Sequence, residues 1–308
     1  MLKTFGIVLL CIAILAIALV AFWLWNVRAV VAPLQSTLPE DFPNEGFPHT
    51  TFEQLVQQYR DEQGQINYAN WQQSPESKQQ LAQYLAAVAV YSPENAPERF
   101  PTKQHTLAYW VQAYNATVIH TILNNWPLKS VQDLKAPVEI IKGLGFFYKM
   151  KHVFGGKVYS LYTVENSKVF QGDIDPRIHF VLNCGSGSCP VIRPSLPLGN
   201  ELEPFLKEAA MAFVSHPENL LIDHAKQQVT LSMIFKWYQE QFTQTAPKHL
   251  NKSAQLLSYI ASIAAPIQAA ELQKSLNYVI HFAEYDWSLN DSRDSSNEPE
   301  LEPTERKP

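Results

Sequence analysis

The sequence predicts an α+β fold, with N-terminal helices packed on a mainly antiparallel sheet, behind a single N-terminal transmembrane helix. Three observations carry that reading. Segments with helical apolar spacing cluster before residue 126, and short β-rich runs with turn residues follow, with further helices between them. Residues 5–25, FGIVLLCIAILAIALVAFWLW, hold no charged side chain; that is long enough to cross a bilayer as a helix, which takes about 20 residues. Composition turns polar and Pro-rich on both sides of the remaining chain, which marks one domain over residues 50–290 of the 308.

The N-terminal run reads as an uncleaved anchor. Its 21 residues exceed the apolar region of a signal peptide, usually about 7–15 residues. Trp23 and Trp25 stand at one end, where indole rings favour the headgroup layer. Cys11 inside the run reads as a small hydrophobe facing lipid or helix. The expectation is a single-pass membrane protein whose globular domain is periplasmic or extracellular. Residues 26–49 read as a linker. Residues 291–308 have too little apolar surface to offset ordering entropy and read as a disordered tail.

Within the domain, residues 52–60 and 76–91 read as helices, with a turn at Gly64 and a short extended piece between them. The strongest helix is 104–125. Leu107, Trp110, Val111, Tyr114, Val118 and Ile122 recur at three- and four-residue steps as one apolar stripe, and Pro127 ends it. Gly155-Gly156, between FFYKMKHVF and KVYSL, signals a hairpin, because a two-residue turn needs positive φ. Thr163 is placed to cap a short helix running to Phe170. Residues 177–183, RIHFVLN, read as an apolar central strand. A helix at 201–215 comes next, then a hairpin from NLLID and QVTLS. A helix capped by Ser232, a helix at 250–264 and a closing strand, LNYVIHF, complete the order.

A net charge of −5 without a long basic run argues against nucleic acid, since phosphate binding needs clustered Lys and Arg. The chemistry-bearing residues concentrate in 179–190, HFVLNCGSGSCP, which holds His179 and two of the three cysteines, Cys184 and Cys189. A nucleophilic thiol needs a thiolate, a base and a group to orient the base. His179, His152 and His120 are candidate bases, and Glu165, Asn115 and Asp173 candidate orienters. On a regular strand His179 faces away from Cys184, whereas the Gly-Ser loop lets Cys189 fold back. Gly185 and Gly187 leave backbone N–H groups open to an anion. A disulfide between the two cysteines, a zinc site that includes His179, and two ordinary buried thiols stay open beside the catalytic reading.

Four blocks then carry a resemblance: YWVQAYNATVIHTIL (109–123), DPRIHFVLNCGSGSCPVI (175–192), LSMIFKWY (231–238) and YDWSLN (285–290). In this order, within about residues 55–290, they resemble the successive blocks of the family catalogued as domain of unknown function 547. The likeness drawn between that family and papain-like or transglutaminase-like thiol enzymes implies a permuted papain-like fold. It implies His179, Cys184, Cys189 and Asn115 as site residues, with Glu165 matching the family's I-E-H/N segment. Here that segment reads VEN, with Asn166 where many members carry His. The functional expectation is a membrane-anchored, extracytoplasmic cysteine hydrolase or acyltransferase without a cofactor, acting on a peptide or envelope ligand. The alternative is a non-enzymatic binding module stapled by a Cys184–Cys189 disulfide.

Overall fold

Local sequence signals set the helical N-terminal part. Helices α1 (Thr50–Tyr59), α2 (Tyr68–Gln73), α3 (Pro75–Val90) and α4 (Lys103–Asn124) follow in order in this computed structural model. It describes residues 14, 17, 30–32, 36–135, 143–172, 175–244 and 246–292. Asn67, Ser74 and Thr102 each accept a backbone N–H three residues on, capping α2, α3 and α4. Pro75 occupies the first position of α3, where its missing N–H costs nothing. The short helix α2 falls where only an extended piece is expected. The expected anchor at 5–25, with Cys11, lies outside the described residues except for Ile14 and Ile17, and so does the tail from 293. Among the described residues no helix is long and apolar enough to cross a membrane.

Helix α4 is the axis of the core. From Ala108 to Leu123 it is buried almost all round, not along a single stripe. Its polar residues therefore need partners inside the protein. Gln112 Nε2 donates to Pro194 O at 2.9 Å, and the Thr117 and Thr121 hydroxyls donate one turn back, each at 2.7 Å. Asn115 serves the segment across from it, as described below.

The α+β class holds, but the β structure is two small mixed sheets rather than one mainly antiparallel sheet. Strand β1 (Val30–Val31) lies parallel to β2 (Met150–Phe154), which pairs antiparallel with β3 (Lys157–Tyr159). Strand β4 (Leu220–Asp223) pairs antiparallel with β5 (Gln228–Leu231), and β6 (Val279–Phe282) lies parallel to β5. Strand β6 is parallel because its return is a long helical crossover that ends in α9 (Lys252–Ile263) and α10 (Pro266–Lys274), rather than a hairpin. The β2–β3 turn is the expected one: Gly155 and Gly156 have φ of 55° and 75°. Their N–H groups donate to Val88 O and Ala89 O, so the hairpin tip satisfies the end of α3.

Helix α5 (Leu161–Val164) is capped by Ser160, not Thr163, and continues as a π-helical turn over Glu165–Val169. The largest departure is at 177–183, which is not a strand. Pro176–Phe180 is a 3-10 helix. Asp175 Oδ1 accepts the Arg177 N–H at 2.9 Å, and Arg177 bridges Asp175 and Glu203 of α6 (Leu202–Ser215). The apolar run reflects burial beneath α6 and α4 rather than a pleat. The Asn115 amide takes the place of a ladder partner. Its Nδ2 donates to Val181 O at 3.0 Å, and its Oδ1 accepts the Asn183 N–H at 2.9 Å.

The helix expected after Ser232 is two short ones, α7 (Met233–Trp237) and α8 (Gln239–Phe242), broken at Tyr238. Segment 36–48, expected as linker, is tied to the domain: Arg99 Nη1 donates to Pro43 O and Gly46 O, both at 2.9 Å, and Phe47 packs against the core. At the other end Ser292 N donates to Ile66 O at 3.1 Å.

Candidate active site

The cysteine loop folds inward on its own backbone and against the segment that ends the domain. Gly185 N donates to Asn183 Oδ1, Cys189 N to Ser186 O, Gly187 N to Ser288 O and Ser188 N to Asp286 O. The amides expected to receive an anion are thus engaged with the protein. Gly185 makes the turn at φ +80°, and a Cβ there would stand 2.6 Å from Ile122 Cδ1. Asn290 completes the clamp: its N–H donates to Gly185 O at 3.1 Å and its side chain reaches Asn183 Oδ1.

What the loop presents is Cys184. Its Sγ lies 3.0 Å from Ser186 Oγ and 3.3 Å from Tyr285 Oη, and those two oxygens are 2.9 Å apart. Beside these two hydroxyls, the Ser186 backbone N–H and the Cys189 thiol favour the Cys184 thiolate. Burial opposes ionisation of Cys184, but these donors outweigh it, and the thiol is lowered below its ordinary range. Cys189 is displaced the other way, first by burial and then by Cys184 itself. Its Sγ accepts the Cys184 N–H at 2.8 Å and faces Leu182 O at 3.8 Å. Both thiols are free and half-buried.

Both cysteines open onto a cavity of about 500 Å³. Its walls are rings: Tyr148 stacks on Tyr162 at 4.4 Å between centroids, and Tyr285 packs between Trp237 and Trp287 at 4.7 and 4.6 Å. One carboxyl enters it. Glu165 accepts hydrogen bonds from the Tyr238 and Tyr114 hydroxyls, the latter at 3.3 Å. Burial nonetheless pushes its pKa upward, against the pull of the two tyrosines.

His179 lines the same cavity but makes no hydrogen bond to either thiol. Its ring lies between Phe170 and Tyr238, at 4.0 and 3.8 Å, and its Nε2 meets Gln241 Oε1 at 2.5 Å. With an amide oxygen as acceptor, Nε2 is the protonated nitrogen. Burial lowers its pKa to about 3, so the ring is neutral at physiological pH.

Cys184, Cys189, Glu165 and His179 therefore meet in one cavity. Asn115 does not; it holds the backbone that carries His179 and Cys184. His120 borders a different cavity, beside Lys78 and Asn124, and His152 is buried in β2, so neither serves the thiols. Asp173 lies outside the described residues. Among those residues no group of three metal-ligating side chains comes together. Asn166 sits at the cavity edge, donating to Tyr162 O at 3.0 Å. Sequence reasoning missed Tyr238, Gln241, Tyr285 and Ser186, and treated Tyr114 as core. Tyr238 and Tyr285 stood in quoted blocks, but no spacing relates a tyrosine to a thiol 101 residues away.

Residues 97–214 match the family model described as "Protein of unknown function, DUF547". No curated protein and no solved structure matches the chain. The matched segment contains the cysteine loop, Glu165 and His179; Tyr238 and Tyr285 come from beyond it.

Proposed function

We propose, from the premise that the segment carrying the cysteine loop belongs to the DUF547 family, that this chain is a cysteine-dependent acyltransferase or hydrolase with Cys184 as nucleophile. The observation that supports this reading is the meeting of the Ser186 and Tyr285 hydroxyls, themselves 2.9 Å apart, at one sulfur on an aromatic cavity. Donors so placed favour the thiolate, so ionisation needs no imidazole base. His179 acts instead as a positioning residue. Gln241 holds its ring, the ring packs on Tyr238, and Tyr238 holds Glu165.

Glu165 is the proton carrier of the scheme. The Cys184 sulfur bonds to the acyl carbon, the bond to the departing amine or alcohol breaks, and protonated Glu165 gives that group its proton. The Glu165 carboxylate then takes a proton from the water or amine that attacks the thioester, and the carbon–sulfur bond breaks. The ring-lined walls suit an acyl donor with apolar side chains, as in a peptide or envelope ligand. The uncharged run at 5–25 would tether the domain to a membrane, with the site on its extracytoplasmic side.

The test is acylation of the full chain in detergent with an activated aryl ester, followed by peptide mass mapping. The expected result is one acyl group on Cys184, absent from Cys184→Ser. Glu165→Gln is expected to slow turnover while the adduct still forms. Absence of any acyl group on Cys184 with several acyl donors rejects the reading. A second reading, ligand capture without turnover, is favoured by the ring lining; it predicts that Cys184→Ser binds ligand as well as the native chain.

A further inference from the structure

We propose that Cys184 and Cys189 together form a two-thiol exchange site for disulfide substrates, Cys184 attacking and Cys189 resolving. The proposal shares the Cys184 nucleophile with the acyl-transfer reading and to that extent rests on it, but it adds a second activity that acyl transfer does not need.

The geometry supplies both roles. The Cys189 sulfur is 2.8 Å from the Cys184 backbone nitrogen, and both thiols open onto the same cavity. The four residues between the two cysteines are held by the Ser288, Asp286 and Asn290 contacts, so this approach does not depend on a mobile loop. The two thiols are also unlike. Cys184 collects the donors that stabilise an anion, whereas Cys189 faces the Leu182 carbonyl, burial and the Cys184 sulfur, all of which favour its protonated form. Acyl transfer gives Cys189 no chemical step of its own.

The steps balance. The Cys184 thiolate attacks one sulfur of R–S–S–R′, forming Cys184–S–S–R and expelling R′–S⁻, which takes a proton from water. The negative charge on Cys184 is now gone, so Cys189 loses its proton to solvent more readily. Its thiolate attacks the Cys184 sulfur, forms the Cys184–Cys189 bond and expels R–S⁻. Two protein thiols are oxidised by two electrons, and the substrate disulfide is reduced to two thiols. The oxidised protein has no Cys184 thiolate and is silent in acyl transfer until a dithiol reverses the exchange. The cavity rings fit a disulfide carrying aromatic or apolar groups, as in a peptide.

The experiment uses the full chain with Cys11→Ser, so that only these two thiols remain, and an aryl disulfide whose released thiolate is coloured. Two thiolates per chain are expected, with a product lighter by two hydrogens and a Cys184–Cys189 link in the peptide map. Cys189→Ser should release one thiolate and keep a stable adduct on Cys184. Cys184→Ser should react at least about tenfold more slowly. A native chain that ends with an aryl adduct on each cysteine, or with no internal link, overturns the proposal. So does a Cys184→Ser rate equal to the native rate. The peptide map of the chain with both thiols needs neither exchange variant to fold. The ester test on the native chain separates the readings: acylation of Cys184 there, with no internal link after the aryl disulfide, leaves acyl transfer standing and removes exchange.

Discussion

Cys184 shows how a single side chain acquires chemistry from donors that are distant in sequence. Tyr285 lies 101 residues away, and its hydroxyl is 3.3 Å from the sulfur. Removing that hydroxyl withdraws a donor from the thiolate and leaves the thiol form untouched, so Tyr285→Phe should raise the thiol pKa. The pH profile of alkylation by iodoacetamide reads this directly. The native midpoint is expected below the ordinary thiol value of about 8.5, and the variant midpoint closer to it. A variant midpoint at or below the native one would show that Tyr285 does not support the anion. Glu165 follows the opposite rule, because burial there outweighs two hydroxyl donors and favours the neutral acid.

At the scale of elements, the site depends on two segments meeting: the loop at 184–190 and the strip Tyr285–Asn290 that pairs with it. Gly185 sits where the loop crosses α4. Its φ of +80° and the 2.6 Å approach of Ile122 Cδ1 both exclude a side chain. Gly185→Ala is therefore expected to cost about 2–4 kcal/mol from the combined strain and overpacking. Urea unfolding measures that loss, and a variant within about 0.5 kcal/mol of native would mean the loop accommodates a Cβ. The same substitution should slow Cys184 alkylation, since the next residue, Ser186, carries the hydroxyl 3.0 Å from the Cys184 sulfur. The 3-10 helix Pro176–Phe180 makes a related point. An isolated apolar run of this length is ambiguous between strand and helix, and here the Asn115 amide satisfied the backbone without a neighbouring strand.

For the whole molecule, burial of neutral histidines couples the fold to acid. His49 and His120 are lowered to about 4, and His152 and His179 to about 3, burial being the largest cause in each. Below the ordinary value of 6.5 the unfolded chain takes up protons that the folded chain refuses. Stability is therefore fully present above pH 6.5 and is lost as pH falls toward 4, by at most about 1.4 kcal/mol per pH unit for each such histidine. Glu165 works in reverse, stabilising most at low pH and less as pH rises through its raised value, and Glu53 is raised as well, but they are two groups against four. Tm is expected to fall from pH 7 to pH 5, and replacing His152, whose Nε2 has no hydrogen-bond partner among the described residues, by His152→Gln should flatten that slope. An unchanged Tm between those pH values would refute the account. Much of the molecule was legible in the chain. The periodicity of α4, the cap at Ser232, the Gly155-Gly156 turn and the cysteine block are local signals, and local signals survive in sequence because neighbouring residues alone set them. Cys184, Cys189, Glu165 and His179 were identified as site residues and do share one cavity. The pairing of roles was not legible: His179 belongs to Gln241 and Tyr238, Asn115 to the backbone, and Cys184 to Ser186 and Tyr285. Apart from Ser186, two residues from Cys184, those partners lie 59 to 101 residues away and were chosen by which surfaces pack together, and only the tertiary structure decides that.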